Sequence, residues 1–556
     1  MSKYDILDKA DEPITEDKVK KDIPGMLRRA ERFQIILIGE GILVGAVAGL
    51  VVLLYRVALE YAGEWLGDIL KFAGQSIAYM AMWFVVLLAM AWIVSRLVKF
   101  EPMISGSGIP QLKGEMTGMF DQCWWKVLAA KFVGGFLCIF GGLALGREGP
   151  SIQLGAMVGK GISKGLDRGK TEERFLLTCG ASAGLAAAFH APLAGVMFSL
   201  EEIHKNFSVS VLLSVMTASI TADYLCSVIL GVDSVFRFDI VASLPPSYYW
   251  MILILGVVLG VMGAFYNWFT LKVQSLYNKL NVSKNGSING YVRIAIPFLC
   301  AGVLGFTCPQ ILGSGHALIE NMAAGEMVLG TIVLIFIGRF IFSAVSFGSG
   351  APGGIFFPLL VLGGFLGGAF GTAAVEYIGM DPMYVNNFVA LAMAGYFAAI
   401  VRAPITGIVL IFEMTGSLDQ MLSLSVISIV AYITATMLRS EPIYESLLDR
   451  LWEKFKSSNG DEDDHAQNSE SQPVRRQKVL AEYGIRHSSP ADGKLIKEID
   501  WPAGCLLVAI QRGDKEIIPK GQTRLQAGDI IVTMTDERDE VYVYERLEKI
   551  CRETMG

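Results

Sequence analysis

Charge is scarce in this chain: Asp, Glu, Lys and Arg together make up 18% of 556 residues, against about 25% in an ordinary soluble domain. Hydrophobic residues reach 53% and the mean hydropathy is +0.48, which describes a polytopic membrane protein. Cysteine pairs are missing as well: the eight cysteines form no C-x-x-C pair. Most lie in apolar segments, so they read as buried thiols and exclude a disulfide or zinc framework. Five scattered histidines give no metal-ligand pattern, and no cofactor is expected. The polar/apolar alternation of a membrane β-barrel is also absent, because the apolar runs are continuous. The formal charge of −6 belongs mainly to the polar ends, and no nucleic-acid partner is expected. Glycine is the residue in excess, at 60 positions, as suits closely packed or interrupted membrane helices.

Residues 1–32 are polar and carry Arg28, Arg29 and Arg32 just before the first apolar run. That run comes too late and is too long for a signal peptide, and the arginines predict a cytoplasmic N-terminus. Long helices are expected over about 33–55 and 78–98, with Arg96, Lys99 and Lys113 marking a return to the same side. The apolar segments then become short and Gly-punctuated, at about 126–144, 151–164, 174–189, 192–203, 208–231 and 248–268. A second series covers about 290–307, 328–347, 354–375, 384–400, 404–414 and 421–438. Several fall below the ~20 residues of a straight crossing. A polar linker spans 453–476 and a soluble stretch 478–548. The latter has strand-like runs near 505–510, 516–518 and 530–534, a turn at 512–515 and an amphipathic helix near 536–549.

The chain repeats itself. Phe189-His190-Ala191-Pro192 has a counterpart in Val401-Arg402-Ala403-Pro404, the prolines lying 212 positions apart. Acids follow both, as Glu201 and Glu202 in one and Glu413 in the other. Gly106-Ser107-Gly108 matches Gly313-Ser314-Gly315 at an offset of 207, and Pro150 matches Pro358 at 208. Three pairs at nearly one offset indicate a duplication over about 33–232 and 248–440. The spacing leaves parallel and inverted halves both open. Inverted halves would bring corresponding helix starts together at mid-membrane.

Three loops share a design: Gly106-Ser107-Gly108-Ile109-Pro110, Gly146-Arg147-Glu148-Gly149-Pro150 and Gly354-Ile355-Phe356-Phe357-Pro358. The glycines break a helix, the prolines are expected to begin the next one, and free backbone N–H groups gather at its start. Converging helix starts bind a small dehydrated anion with partial charge alone. Glu148 is a carboxylate placed at such a start inside the bilayer, where an acid marks function. An ion pair with Arg147 is the plainer account of it.

These loops, in this order and spacing, resemble the CLC family of chloride channels and chloride/proton exchangers over residues 33–450. The resemblance implies an all-α polytopic membrane domain built from two inverted repeats with short, broken helices. It implies a homodimer in the cell membrane, both termini cytoplasmic, with one anion pathway per subunit. By the same resemblance Ser107 and Tyr444 would donate hydroxyls to a central chloride, completed by the N–H groups of Ile355 and Phe356. Those of Arg147 to Gly149 would serve an outer site. Glu148 would be the gating glutamate, occupying an anion site when ionised and leaving it when protonated. Glu202 would be the internal proton-transfer acid, and both carboxyls would sit in dry surroundings. Tyr444 also fits an aromatic belt, and Glu201 and Glu202 also fit a helix end at the interface.

Acid at 202 favours exchange of chloride for protons, with a passive voltage- or pH-gated chloride channel as the alternative. A membrane-tethered sensor with a dead membrane part is the remaining class. Ser107 implies chloride preference, with bromide and nitrate also passing. The tail resembles the TrkA-C (RCK-C) regulatory domain, a small α+β fold that often dimerises and binds small ligands, cyclic dinucleotides among them in some bacteria. It has no Gly-rich dinucleotide loop or Walker motif, so the chain is not expected to be an enzyme.

Overall fold

The computed structural model describes residues 16–205, 209–231, 244–280, 286–325, 327–458, 478–486, 489–502, 504–512, 515–536, 543, 546–547 and 549–551. The chain divides into two compact units, Met1–Asn459 and Gly460–Gly556. The first fifteen residues, most of the linker and the turn at 513–514 lie outside the described residues, as does most of the final helix.

The larger unit is helical throughout. Its first part comprises α1 (Glu16–Ala73), α2 (Ile77–Phe100), α3 (Ile109–Met116), α4 (Trp124–Phe140), α5 (Glu148–Gly165), α6 (Lys170–Phe189), α7 (Pro192–Phe198) and α8 (Val209–Leu230). The second comprises α9 (Tyr249–Lys279), α10 (Gly286–Thr307), α11 (His316–Ala323), α12 (Leu329–Gly348), α13 (Phe356–Ile378), α14 (Val385–Val401), α15 (Pro404–Thr415), α16 (Met421–Met437) and α17 (Ile443–Ser458). Among the described residues eight helices are long and apolar enough to cross a membrane. The broken helices predicted from the short apolar runs are present.

Two boundaries differ from expectation for a physical reason. The apolar run ends near residue 55, but α1 continues to Ala73. Its last turns are amphipathic: Leu59, Ala62, Leu66 and Ala73 are buried at helical spacing, while Arg56 and Glu60 pair at 3.1 Å. Likewise α17 carries the chain through Ser458, past the start of the stretch read as a linker.

Close crossing of α5 and α6 sets up the site. A Cβ added to Gly155 would lie 2.1 Å from the Gly180 carbonyl oxygen, and one added to Gly180 would lie 2.0 Å from that of Gly155. Only the paired glycines let these backbones touch, as in small-residue membrane interfaces. The smaller unit is a four-stranded antiparallel sheet in the order β1-β4-β2-β3, from Lys478–Gly484, Ile530–Asp536, Leu506–Arg512 and Lys515–Ile517. Strand β1 was not among the strands expected from the sequence. Residues 543, 546–547 and 549–551 are helical, and Val543, Leu547 and Cys551 pack into the small unit's core with Ile510, Leu525 and Ile531.

Gly180→Ala should therefore force α5 and α6 apart and destabilise the membrane unit by about 1–3 kcal/mol, read as a lower melting temperature in detergent. Gly165→Ala, where an added Cβ meets nothing within 4 Å, should leave it unchanged.

Candidate functional site

A helix that starts inside a membrane must find partners for its first N–H groups. Two starts are capped by the opposite half of the chain. The Glu413 carboxylate accepts from Leu193 N–H (2.9 Å) and Ala194 N–H (2.7 Å) at the start of α7. Glu201 does the same for α15, accepting from Ile405 N–H (3.3 Å), Thr406 N–H (2.8 Å) and the Thr406 hydroxyl (2.7 Å). Each acid lies near the far end of the partner helix, so α7 and α15 run antiparallel and cap one another. Glu201 is thus a capping residue and not a free charge at an interface.

The starts of α3, α5 and α13 receive no side-chain bond from the residues that directly precede them, Gly108, Arg147 and Ile355. Their loops are tied together through the backbone. Gly146 N–H donates to the Gly354 carbonyl at 2.7 Å, Gly354 N–H returns the bond to Gly146 at 2.8 Å, and Gly353 N–H donates to Gly106 at 3.0 Å. Gly149 sits where the three meet. A Cβ there would lie 2.9 Å from the Ser107 carbonyl oxygen and 3.2 Å from Gly354 Cα. The helices begin earlier than the prolines suggested. α5 starts at Glu148 and α13 at Phe356, so Pro150 and Pro358 are third residues, still within the turn that needs no N–H.

Ser107, Glu148, Gly149, Ile355 and Phe356 are therefore brought together, all but fully buried. The Glu148 carboxylate faces the N–H of Phe357 and its own, and its Oε2 has no hydrogen-bond partner among the described residues. Arg147 approaches only to 3.9 Å and also reaches Glu60 at 3.4 Å, which makes the simple ion-pair account of Glu148 a poor one. The Ser107 hydroxyl accepts weakly from Ile109 N–H at 3.3 Å. Tyr444 arrives from α17, fully buried, with its hydroxyl unpartnered among the described residues. Such burial rules out a belt position. It is close enough to both Glu148 and Glu202 to interact with them electrostatically. Phe356 packs its ring against Phe189, Phe198 and Phe397.

Glu202 sits in a π turn, Ser199–His204, that continues α7. The neighbouring acids take different partners: Glu201 goes to α15, and Glu202 goes inward to Lys113, whose Nζ lies 2.8 Å away. Dry surroundings alone do not describe Glu202, because an ammonium faces it. Lys113, taken from sequence as a charge marking one side of the membrane, is 3% exposed.

Three further buried cations, Lys131, Lys160 and Arg339, escaped the sequence reading, and two of them hold loops. Lys131 donates to the carbonyls of Ile104 (2.8 Å) and Gly106 (2.6 Å), holding the loop of Ser107. Arg339 donates to those of Ile311 (2.8 Å), Leu312 (3.2 Å), Gly313 (2.7 Å) and Ser314, holding the matching loop of the second half. They stand 208 positions apart, the offset of Pro150 and Pro358. The paired loops share backbone angles, φ +66° and +93° at Gly106 and Gly108 against +65° and +93° at Gly313 and Gly315. A charge inside each of two matched apolar segments was the signal available.

Comparison with known proteins follows these features. A family model described as "Voltage gated chloride channel" matches residues 84–436, and a TrkA-C domain model matches 480–544. The chain is 36% identical over 447 residues to the H(+)/Cl(-) exchange transporter ClcA of Vibrio cholerae, covering 79% of this chain and 94% of that one. It is 35% identical over 424 residues to ClcA of Citrobacter koseri, covering 74% and 89%. Its fold is similar to the crystal structure of a slow cyanobacterial Cl-/H+ antiporter, with TM-score 0.72, 29% identity, and coverage of 76% and 99%.

Lys131→Met should leave two buried carbonyls short of a donor and destabilise the membrane unit by about 1–3 kcal/mol. A lowered melting temperature checks this, and Lys131→Arg should recover part of the loss.

Proposed function

The chain belongs to the voltage-gated chloride channel (CLC) family, and we propose that it is a secondary active transporter exchanging chloride for protons across the membrane. The observation that carries this reading is the buried Glu148 carboxylate lying against the starts of α5 and α13. An ionised carboxylate and a chloride compete for the same N–H groups and the same positive helix ends. Protonation removes the carboxylate's charge and its preference for that place, so the anion enters as the side chain leaves. One group then couples the two ions.

Ser107 and Tyr444 supply hydroxyls to the central chloride, and the N–H groups of Ile355 and Phe356 complete its shell. The N–H groups from Arg147 to Gly149 serve the outer position. Both hydroxyls are buried and weakly engaged or unpartnered among the described residues, which supports the assignment. Glu202 passes protons between the cytoplasm and Glu148. A buried acid at this position favours exchange over the passive channel. Bromide and nitrate use the same shell, since it reads size and charge.

The assembly is a homodimer in the cell membrane with one pathway per subunit and both termini cytoplasmic. The membrane domain spans 33–450, with inverted repeats at about 33–232 and 248–440. The antiparallel capping of α7 and α15 supports that symmetry. The TrkA-C domain, about 478–548 behind the polar stretch that follows α17, regulates transport in response to a small ligand.

The full-length protein in liposomes tests the reading. A chloride gradient alone should drive protons uphill. Glu202→Gln should abolish proton movement and leave chloride flux. Glu148→Gln should abolish both coupling and the pH dependence of chloride flux. Chloride flux without proton movement in the unmodified protein would establish a channel, and silence a scaffold.

A further inference from the structure

Glu202 is the inner end of a chain of alternating charges. Lys205 Nζ donates to Glu445 Oε1 at 2.5 Å, Lys113 Nζ donates to the same oxygen at 3.0 Å, and Lys113 Nζ also donates to Glu202 Oε1 at 2.8 Å. Side-chain exposure drops from 46% at Lys205 and 27% at Glu445 to 4% at Lys113, and Glu202 is buried alongside it at 7%. The chain joins three elements far apart in sequence: α3, the π turn with its following residue, and α17. One ammonium is shared by two carboxylates.

We propose that Lys113 is a positioning residue that sets the pH at which Glu202 accepts a proton, and that Glu445 makes this exchange reversible by keeping Lys113 paired. This rests on the reading of Glu202 as the internal proton acceptor. An ammonium 2.8 Å from a carboxylate stabilises its ionised form, so protons load at a lower pH than they would with Lys113 removed. Loading would ordinarily strand a buried cation, which is expensive. Here the proton binds a Glu202 oxygen while Lys113 keeps its own protons and its bond to Glu445. Lys205 in turn holds Glu445, so that carboxylate stays in place to receive the lysine.

Lys205 also attracts the Glu202 carboxylate electrostatically, but among the described residues only Lys113 is hydrogen-bonded to it. On the π turn, Glu201 is committed to α15, and His204 Nδ1 pairs with the Thr178 hydroxyl at 3.0 Å. On α5, Lys160 is held by Glu115 and by Asp121 at 2.6 Å. On α17, Tyr444 lies next to Glu445 and interacts electrostatically with Glu202, but it brings no cation.

The opposite effects of the two partners give the test. Initial rates of chloride-driven proton flux are measured in liposomes holding the full-length protein, with equal pH on both faces, from about pH 4 to 8. Lys113→Met should move the half-maximal pH upward by about 1–3 units, and Lys113→Arg should leave it near the unmodified value. Glu445→Gln removes the competing carboxylate, leaves Lys113 to Glu202 alone, and should move the half-maximal pH downward. A merely structural role for the network would lower rates without moving the profiles in opposite senses. Profiles that coincide, or shift together, overturn the proposal while leaving exchange intact. An unmodified protein that moves no protons overturns exchange and this inference with it. Should Lys113→Met fail to fold, the downward shift of Glu445→Gln and the constancy of Lys113→Arg still decide.

Discussion

The membrane unit is governed by one constraint, that an N–H group at a helix start has no water to turn to. The chain meets it in two ways. At α7 and α15 a glutamate from the opposite half closes each start, and these helices become a locked antiparallel pair. At α3, α5 and α13 side-chain closure is only partial, with Ser107 accepting weakly from Ile109 N–H and the Glu148 carboxylate facing its own N–H and that of Phe357, and the three loops are pinned together by backbone bonds among Gly106, Gly146, Gly353 and Gly354. The first arrangement spends carboxylates on rigidity. The second leaves partial positive charge concentrated in a small dry space, and the one carboxylate there, Glu148, is only partly satisfied.

Rigidity and mobility are thereby separated between neighbouring acids. Glu201 is bound by three donors of α15, whereas Glu202, one residue on, faces Lys113 within a charge network. The separation comes from their partners, which lie on different elements, α15 for Glu201 and α3 for Glu202. Buried cations complete the frame: Lys131 and Arg339 hold corresponding loops of the two halves by their carbonyls. Anion attraction then comes from backbone dipoles, and full positive charges stay bound to carbonyls or carboxylates.

What the sequence disclosed was local chemistry. The Gly- and Pro-bounded loops and the short helices depend on residues a few positions apart, the repeat shows as the same local motifs recurring, and the residues singled out in those loops do lie together. What stayed hidden depends on partners some two hundred positions away. Glu201 and Glu413 look like helix-end acids until the reciprocal caps are seen. Lys113 looks like a surface charge, and neither its burial nor its tie to Glu445, 332 residues on, is written locally. The length of α1 was missed because an amphipathic stretch interrupts hydropathy without interrupting the helix. Strand β1, at the end of a polar stretch, shows itself only through its register with β4, from Lys478↔Asp536 to Gly484↔Ile530.

The central claim is that the Glu148 carboxylate and the transported anion compete for the open starts of α5 and α13. The most direct measurement is anomalous diffraction from bromide-soaked crystals of the unmodified protein at neutral pH and of Glu148→Gln. The account predicts a bromide peak beside the N–H groups of Gly149 and Phe357 in the variant, absent there when the carboxylate is present. A peak at that position in both proteins, or in neither, would contradict it.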